Sequence, residues 1–236
     1  MEFMFSPGSR ARAIVCILGI AISAASGAQT VLVPKEPPNL GKLRIELEQY
    51  HDCKGNDGCY TADLNGETAK AIRELDRLAR QSRPGTKLAV VLDIDETSLS
   101  NYAEILQADF AWNREAWNQW VQQAAAPAIP GTLRFYQEAQ QLGVAVFFIT
   151  GRPEGQRAAT EKNLRSQGYA HWAGLVLRSP AQANTPTTIF KSAARRKIVA
   201  AGYRILVNMG DQMSDLNGSP QAEVSIKLSD PFYYIP

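Results

Sequence analysis

The sequence predicts an α/β protein: a mainly parallel, Rossmann-like sheet with helices on both faces, a small helical insertion as a cap and an N-terminal helical extension. Three observations carry this. Residues 88–92 and 144–149 are continuous apolar runs of strand length and 203–209 is a mainly apolar one, as expected of strands buried on both faces. Helical patterns with one apolar stripe alternate with them. Each run also ends abruptly in polar residues: Asp93-Ile94-Asp95-Glu96, Thr150-Gly151-Arg152, and Gly210-Asp211 with Asp215 close behind. In open parallel sheets ligands bind beyond the carboxyl ends of the strands, so the three ends are expected to meet on one edge.

The 236 residues divide into a signal segment (1–28), a helical extension (29–86) and a main domain (87–236) with an insertion at 101–130. Residues 1–28 have the layout of an export signal. Arg10 and Arg12 precede an apolar stretch of 12 residues, Ile14–Ala25, and small residues follow at Ser26-Gly27-Ala28. The stretch is short for a bilayer span. Cleavage is therefore expected before Gln29, giving a periplasmic or secreted protein without a membrane anchor; an uncleaved anchor is the alternative. Cys16 would leave with the signal. Cys53 and Cys59 remain, and an even count in an exported chain suggests a disulfide. Zinc is the rival, but His51 brings the nearby ligands only to three. Composition is ordinary for a globular protein, with 45% hydrophobic residues and a net charge of +2. That balance offers no argument for a nucleic-acid polymer or a membrane surface as partner, and no heptad or apolar stripe sets an oligomeric state.

After Pro34, Pro37 and Pro38, residues 40–51 carry Leu43, Leu47 and Tyr50 at helical spacing. A longer helix is expected over 61–82, stopped by Pro84-Gly85. The first strand follows at 88–92. Trp112, Trp117 and Trp120 then stand among polar residues before Pro127, Pro130 and Gly131 break the chain. Helices are expected over 132–142, 156–167 and 190–201, each stopped by a glycine or alanine-glycine, with strands at 144–149, 175–177, 203–209 and 224–228. Arg195, Arg196 and Lys197 read as a solvated face of the third of these helices. His51 and His171 have no partner pattern and receive no role.

The chemistry sits at the strand ends. Asp93 and Asp95 are two apart on an extended chain and share a face. Carboxylates so close repel unless a cation or a shared proton compensates, and a divalent metal with oxygen ligands is the simplest compensation; an acidic solvated loop is the alternative. Gly151 after Thr150 lets backbone N–H groups approach an oxyanion. Lys191, opening its helix, is within reach of the same edge as a fixed positive charge.

This inventory, in this order, resembles the haloacid dehalogenase superfamily. Within it, D-I-D-E-T-S-L-S-N, I-T-G-R, F-K-S-A-A-R-R-K-I, A-G-Y-R-I and N-M-G-D-Q-M-S-D-L-N-G are similar to the secreted acid phosphatases related to plant vegetative storage proteins. The stretch W-V-Q-Q-A-A-A-P-A-I-P-G resembles that family's insertion, and the likeness runs from about Leu88 to Pro231. The resemblance implies that Asp93 attacks phosphorus and carries a transient aspartyl-phosphate. Asp95 would protonate the leaving oxygen and later activate water. Thr150, the Gly151 N–H and Lys191 would hold phosphate oxygens, Lys191 also neutralising charge. Asp93, the Asp95 backbone carbonyl and Asp211 would hold Mg²⁺, with Asp215 supporting Lys191 or a metal-bound water. The expected substrate is a small phosphate monoester, nucleoside monophosphates among them, since Trp112, Trp117 and Trp120 could stack a base; the alternative is that they form the insertion's own core. A secreted phosphate-binding or storage protein with little turnover is the competing function. The intact Asp93 argues against it, and a metal-binding Asp211 argues against a dehalogenase.

Overall fold

The computed structural model describes residues 35–55 and 58–235, and the signal-like segment lies outside them. Among the described residues, five strands form one all-parallel sheet: β1 (Leu88–Leu92), β2 (Ala145–Pro153), β3 (Gly174–Arg178), β4 (Arg204–Gly210) and β5 (Val224–Lys227), in the spatial order β3-β2-β1-β4-β5. Successive connections leave β1 in opposite directions, so the topological switch point lies between β1 and β4, where a parallel sheet opens a crevice.

Alternate residues of β1 serve two cores. Val90 and Leu92 join the larger one, with Leu75 of α2 (Tyr60–Arg80) and Phe135 of α5 (Pro130–Gln141). Ala89 and Val91 join the smaller, with Phe190, Ala194 and Ile198 of α7 (Thr187–Ala200). Helices thus cover both faces, and α6 (Arg157–Ser166) links β2 to β3. The two N-terminal helices, α1 (Leu40–Asp52) and α2, belong to the same compact unit as the sheet, Pro38–Pro236. Asn39 caps α1 by accepting from the Gly41 and Lys42 N–H groups. Cys53 and Cys59 form a disulfide between α1 and α2.

The insertion holds α3 (Tyr102–Gln107) and α4 (Arg114–Gln123). Pro130, expected to break the chain, is instead the first residue of α5, where its missing N–H costs nothing. The β2 strand runs four residues beyond its apolar run because Pro153 still pairs with Arg178. A short turn of helix, α8 (Met213–Leu216), follows β4 and was not legible in the sequence. One expectation fails outright. Arg195 is fully buried, while Arg196 and Lys197 are exposed. Arg195 lies on the stripe of Phe190, Lys191, Ala194 and Ile198, and its guanidinium donates to the carbonyls of Asp215 (2.6 Å), Asn217 and Pro220 (2.8 Å).

The contact between α2 and α5 is close enough to test. A Cβ on Gly131 would lie 2.2 Å from Thr68 Oγ1, a buried hydroxyl that donates to Leu64 O at 2.7 Å. Gly131→Ala is expected to destabilise by about 1–3 kcal/mol through overpacking, seen as a melting temperature several degrees lower. An unchanged melting temperature would show that the helices separate without cost.

Candidate active site

Asp93 leaves β1 at its carboxyl end, with its N–H donating to Met209 O of β4 at 3.0 Å. That pairing places it beside the switch point. Ser98 Oγ donates to the Asp93 carbonyl at 2.6 Å, tightening the turn that follows. Asp211 leaves β4 next to it, and Asp215 folds back from α8. The return is possible because residue 210 is glycine: a Cβ there would meet the Asp215 side chain at 2.5 Å. Arg195 and Asn208 bind the Asp215 carbonyl from below, at 2.6 and 3.0 Å.

Lys191 reaches this cluster from the second turn of α7, which begins at Thr187 and not beside the lysine. The residue is 3% exposed, and its ammonium donates to Asp93 and, at 2.6 Å, to Asp215. Burial disfavours its charge, but Asp215 and Asp93 outweigh burial and hold its pKa above the ordinary lysine value. Lys191 is therefore the fixed charge of the site. The carboxylates are in the opposite position. Burial, with repulsion from Asp215 and Asp95, pushes Asp93 up to about 7 despite Lys191. Burial, then Asp215 and Asp93, drives Asp211 well above the usual carboxylate range. One ammonium thus faces three buried carboxylates, and the site has a surplus of negative charge.

A hard divalent cation fits that surplus. Asp93, Asp211 and Asp215 each offer a carboxylate oxygen, all within 4.8 Å of one another, and oxygen ligands of such ions sit roughly 2.0–2.6 Å from the metal. Asp211 is already oriented: Thr97 Oγ1 donates to one oxygen at 2.9 Å and Gln212 Nε2 to the other at 2.8 Å. The Asp95 side chain lies outside this cluster.

Asp95 belongs to a second group. Its carboxylate accepts from Arg152 through Nη2 (2.7 Å) and Nε (3.0 and 3.2 Å), and from Asn101 Nδ2 (3.0 Å). Arg152 and Asn101 were missed as site residues. Arg152 stands two residues beyond Thr150 and could have been read as its extension; Asn101 carries no signal apart from its neighbours. Thr150 is fully buried, and its Oγ1 accepts from Arg152 N at 3.1 Å. Gly151 and Arg152 line the cavity beside it.

The cavity over both groups measures about 970 Å³. The tryptophans divide around it. Trp112 and Trp117 line it with ring centroids 5.6 Å apart, and Trp117 faces the Arg152 guanidinium at 5.8 Å. Trp120 is partly buried against the main core and donates through Nε1 to Asn101 Oδ1 at 2.8 Å. The C-terminal segment closes the far wall with Phe232 and Tyr234, and Tyr233 donates to the buried Glu96 at 3.2 Å.

A parallel sheet with paired acids after its central strand, a lysine and further acids after the next strand defines the haloacid dehalogenase type of protein. The chain belongs to the HAD superfamily, subfamily IIIB (acid phosphatase), whose pattern it matches over residues 33–236. That match takes in α1 and α2, beyond the part in which the resemblance is legible by motif. The chain is 39% identical to acid phosphatase 1 of Solanum lycopersicum over 148 residues, which covers 61% of this chain and 58% of that one. It is 37% identical to the stem 28 kDa glycoprotein of Glycine max, covering 66% and 64%, and 31% identical to vegetative storage protein 2 of Arabidopsis thaliana, covering 62% and 56%. The alignments span about three-fifths of the length of these relatives. In fold, it superposes on the class C acid phosphatase of Bacillus anthracis with a TM-score of 0.66, at 23% identity, covering 83% of this chain and 86% of that one.

Proposed function

We propose that this protein is an exported, Mg²⁺-dependent phosphomonoesterase working through an aspartyl-phosphate on Asp93. The observation that carries the reading is the Asp93 carboxylate itself: buried at the end of the central strand, ion-paired to Lys191 and grouped with Asp211 and Asp215. Asp93 attacks phosphorus and the bond from phosphorus to the leaving oxygen breaks. That oxygen takes a proton from Asp95, which becomes a carboxylate. Asp95 then takes a proton from water as the water oxygen attacks the phosphoryl group, and phosphate leaves with Asp93 restored. The Gly151 N–H and the Thr150 hydroxyl, whose proton is free to donate because its oxygen accepts from Arg152 N, hold phosphoryl oxygens. Lys191 offsets their charge. Mg²⁺ bound by Asp93, the Asp95 carbonyl, Asp211 and Asp215 would neutralise the remaining charge and align the phosphoryl group.

The cavity's volume of about 970 Å³ and the pair Trp112 and Trp117 suit an aromatic leaving group such as a nucleobase. Export rests on the signal segment and the Cys53–Cys59 disulfide. Among the described residues, no helix is long and apolar enough to cross a membrane. Relatives named as storage proteins support a second reading, phosphate binding with little turnover.

The deciding experiment uses protein from Gln29 onward. Phosphate release is measured on nucleotide, sugar and aryl monoesters at acidic and neutral pH, with Mg²⁺ and with chelator. Chelation is expected to lower turnover at least 100-fold, with recovery on adding Mg²⁺, because the three carboxylates lose their compensating charge. Phosphate binding by folded, metal-loaded protein with no turnover of any ester would favour the storage reading.

A further inference from the structure

We propose that Trp120 and Asn101 are positioning residues for the proton donor: the cap helix α4, through the Trp120 indole N–H and the Asn101 amide, fixes the Asp95 carboxyl at the angle needed to protonate the leaving oxygen. This inference rests on the phosphomonoesterase reading.

Asn101 is fully buried. Its Oδ1 accepts from Trp120 Nε1 at 2.8 Å, and its Nδ2 donates to Asp95 Oδ1 at 3.0 Å and to Glu96 Oε2 at 3.1 Å. The amide has one sense only. An indole N–H is a donor and nothing else, so the amide oxygen must face Trp120 and the NH₂ must face the two carboxyl groups. The indole N–H on one side and the two acids on the other call for the same orientation, so Trp120 locks in place the amide that anchors Asp95.

Among the described residues, Asp95 has one other side-chain partner, Arg152, which lines the cavity and also donates through Nη1 to Thr160 Oγ1 at 3.1 Å. Asn101 holds Asp95 from the side of the cap helix. Asn101 contacts Oδ1, as do Arg152 Nη2 and Nε, whereas among the described residues Oδ2 accepts one side-chain bond, from Arg152 Nε at 3.2 Å. Oδ2 is thus the less firmly held oxygen, the one from which the proton would be delivered. Trp120 is set apart from Trp112 and Trp117 by the same geometry, since those two line the cavity and Trp120 does not.

A positioning role leaves a signature that a structural role does not. Protonation matters for a leaving group that is a strong base and hardly at all for one that departs as a stable anion. Trp120→Phe keeps the ring and removes the N–H; Asn101→Ala removes the whole link. kcat/KM is measured for glycerol phosphate and for 4-nitrophenyl phosphate. The expected losses on glycerol phosphate are about tenfold for Trp120→Phe and about 100-fold for Asn101→Ala. On 4-nitrophenyl phosphate both variants are expected to stay within about threefold of wild type, which also shows that they fold. Parallel losses on the two esters, or none on either, would overturn the proposal while wild-type turnover keeps the phosphatase reading. A raised KM confined to aromatic esters would overturn it in favour of substrate stacking by Trp120. Absence of turnover by wild type would overturn both. Should Asn101→Ala fail to fold, Trp120→Phe decides alone.

Discussion

Asp93→Asn is expected to abolish phosphate release, by more than about 10³-fold, while the protein folds as wild type does. A carboxamide has nearly the shape of a carboxylate but is not a nucleophile at phosphorus, so no aspartyl-phosphate forms. Stability moves the other way from activity. Burial and the Asp215 and Asp95 charges already push Asp93 toward its neutral form, so a neutral side chain removes a cost. Lys191 keeps its contact with Asp215. The melting temperature measured without metal should therefore be unchanged or higher. Rapid acid quench of wild type during turnover should trap phosphate on residue 93, and the variant should trap none. Normal turnover by Asp93→Asn would exclude this nucleophile.

What could be read in the sequence follows from which interactions are local. The apolar run at 88–92 is the strand itself, since every residue of a central parallel strand is buried from both sides. Strand ends and sheet topology then bring Asp93, Asp211 and Lys191 together without further information. The partners of Asp95 were not legible in the same way. Arg152 lies 57 residues away and finds Asp95 only because β2 lies beside β1. Tyr233 lies 137 residues from Glu96, and no pattern in a C-terminal segment announces that it will close a cavity. Arg195 shows the reverse error. Three consecutive basic residues look like a solvated face, yet the helix period had already set residue 195 on the stripe of Phe190, Ala194 and Ile198. A buried arginine is tolerable there because a loop of carbonyls, 215 to 220, supplies the acceptors. Trp117 and Trp120, three apart on one helix, are neighbours by period, but one faces the cavity and the other the core.

Lys191→Met tests the charge balance on which the whole site depends. The substitution keeps much of the aliphatic length and removes the ammonium. Three buried carboxylates are then left without their protein cation, and breaking a buried pair in this way costs roughly 3–5 kcal/mol. In a chain of this size that corresponds to a melting temperature on the order of 10 °C lower when measured in chelator. The loss should depend on metal. A divalent cation in the Asp93, Asp211 and Asp215 cluster supplies part of the missing charge, so Mg²⁺ should raise the melting temperature of the variant more than that of wild type. Activity should not return with it. In the proposed reaction Lys191 would face the incoming phosphoryl group as well as Asp93, and removing a preorganised positive charge from a closed site lowers kcat/KM by about 10²–10³-fold. Thermal unfolding and steady-state rates, each with and without Mg²⁺, therefore separate two roles of one side chain. Recovery of stability without recovery of rate assigns both. If Mg²⁺ restores the rate as well, Lys191 only balances the carboxylates and phosphate is held by other groups.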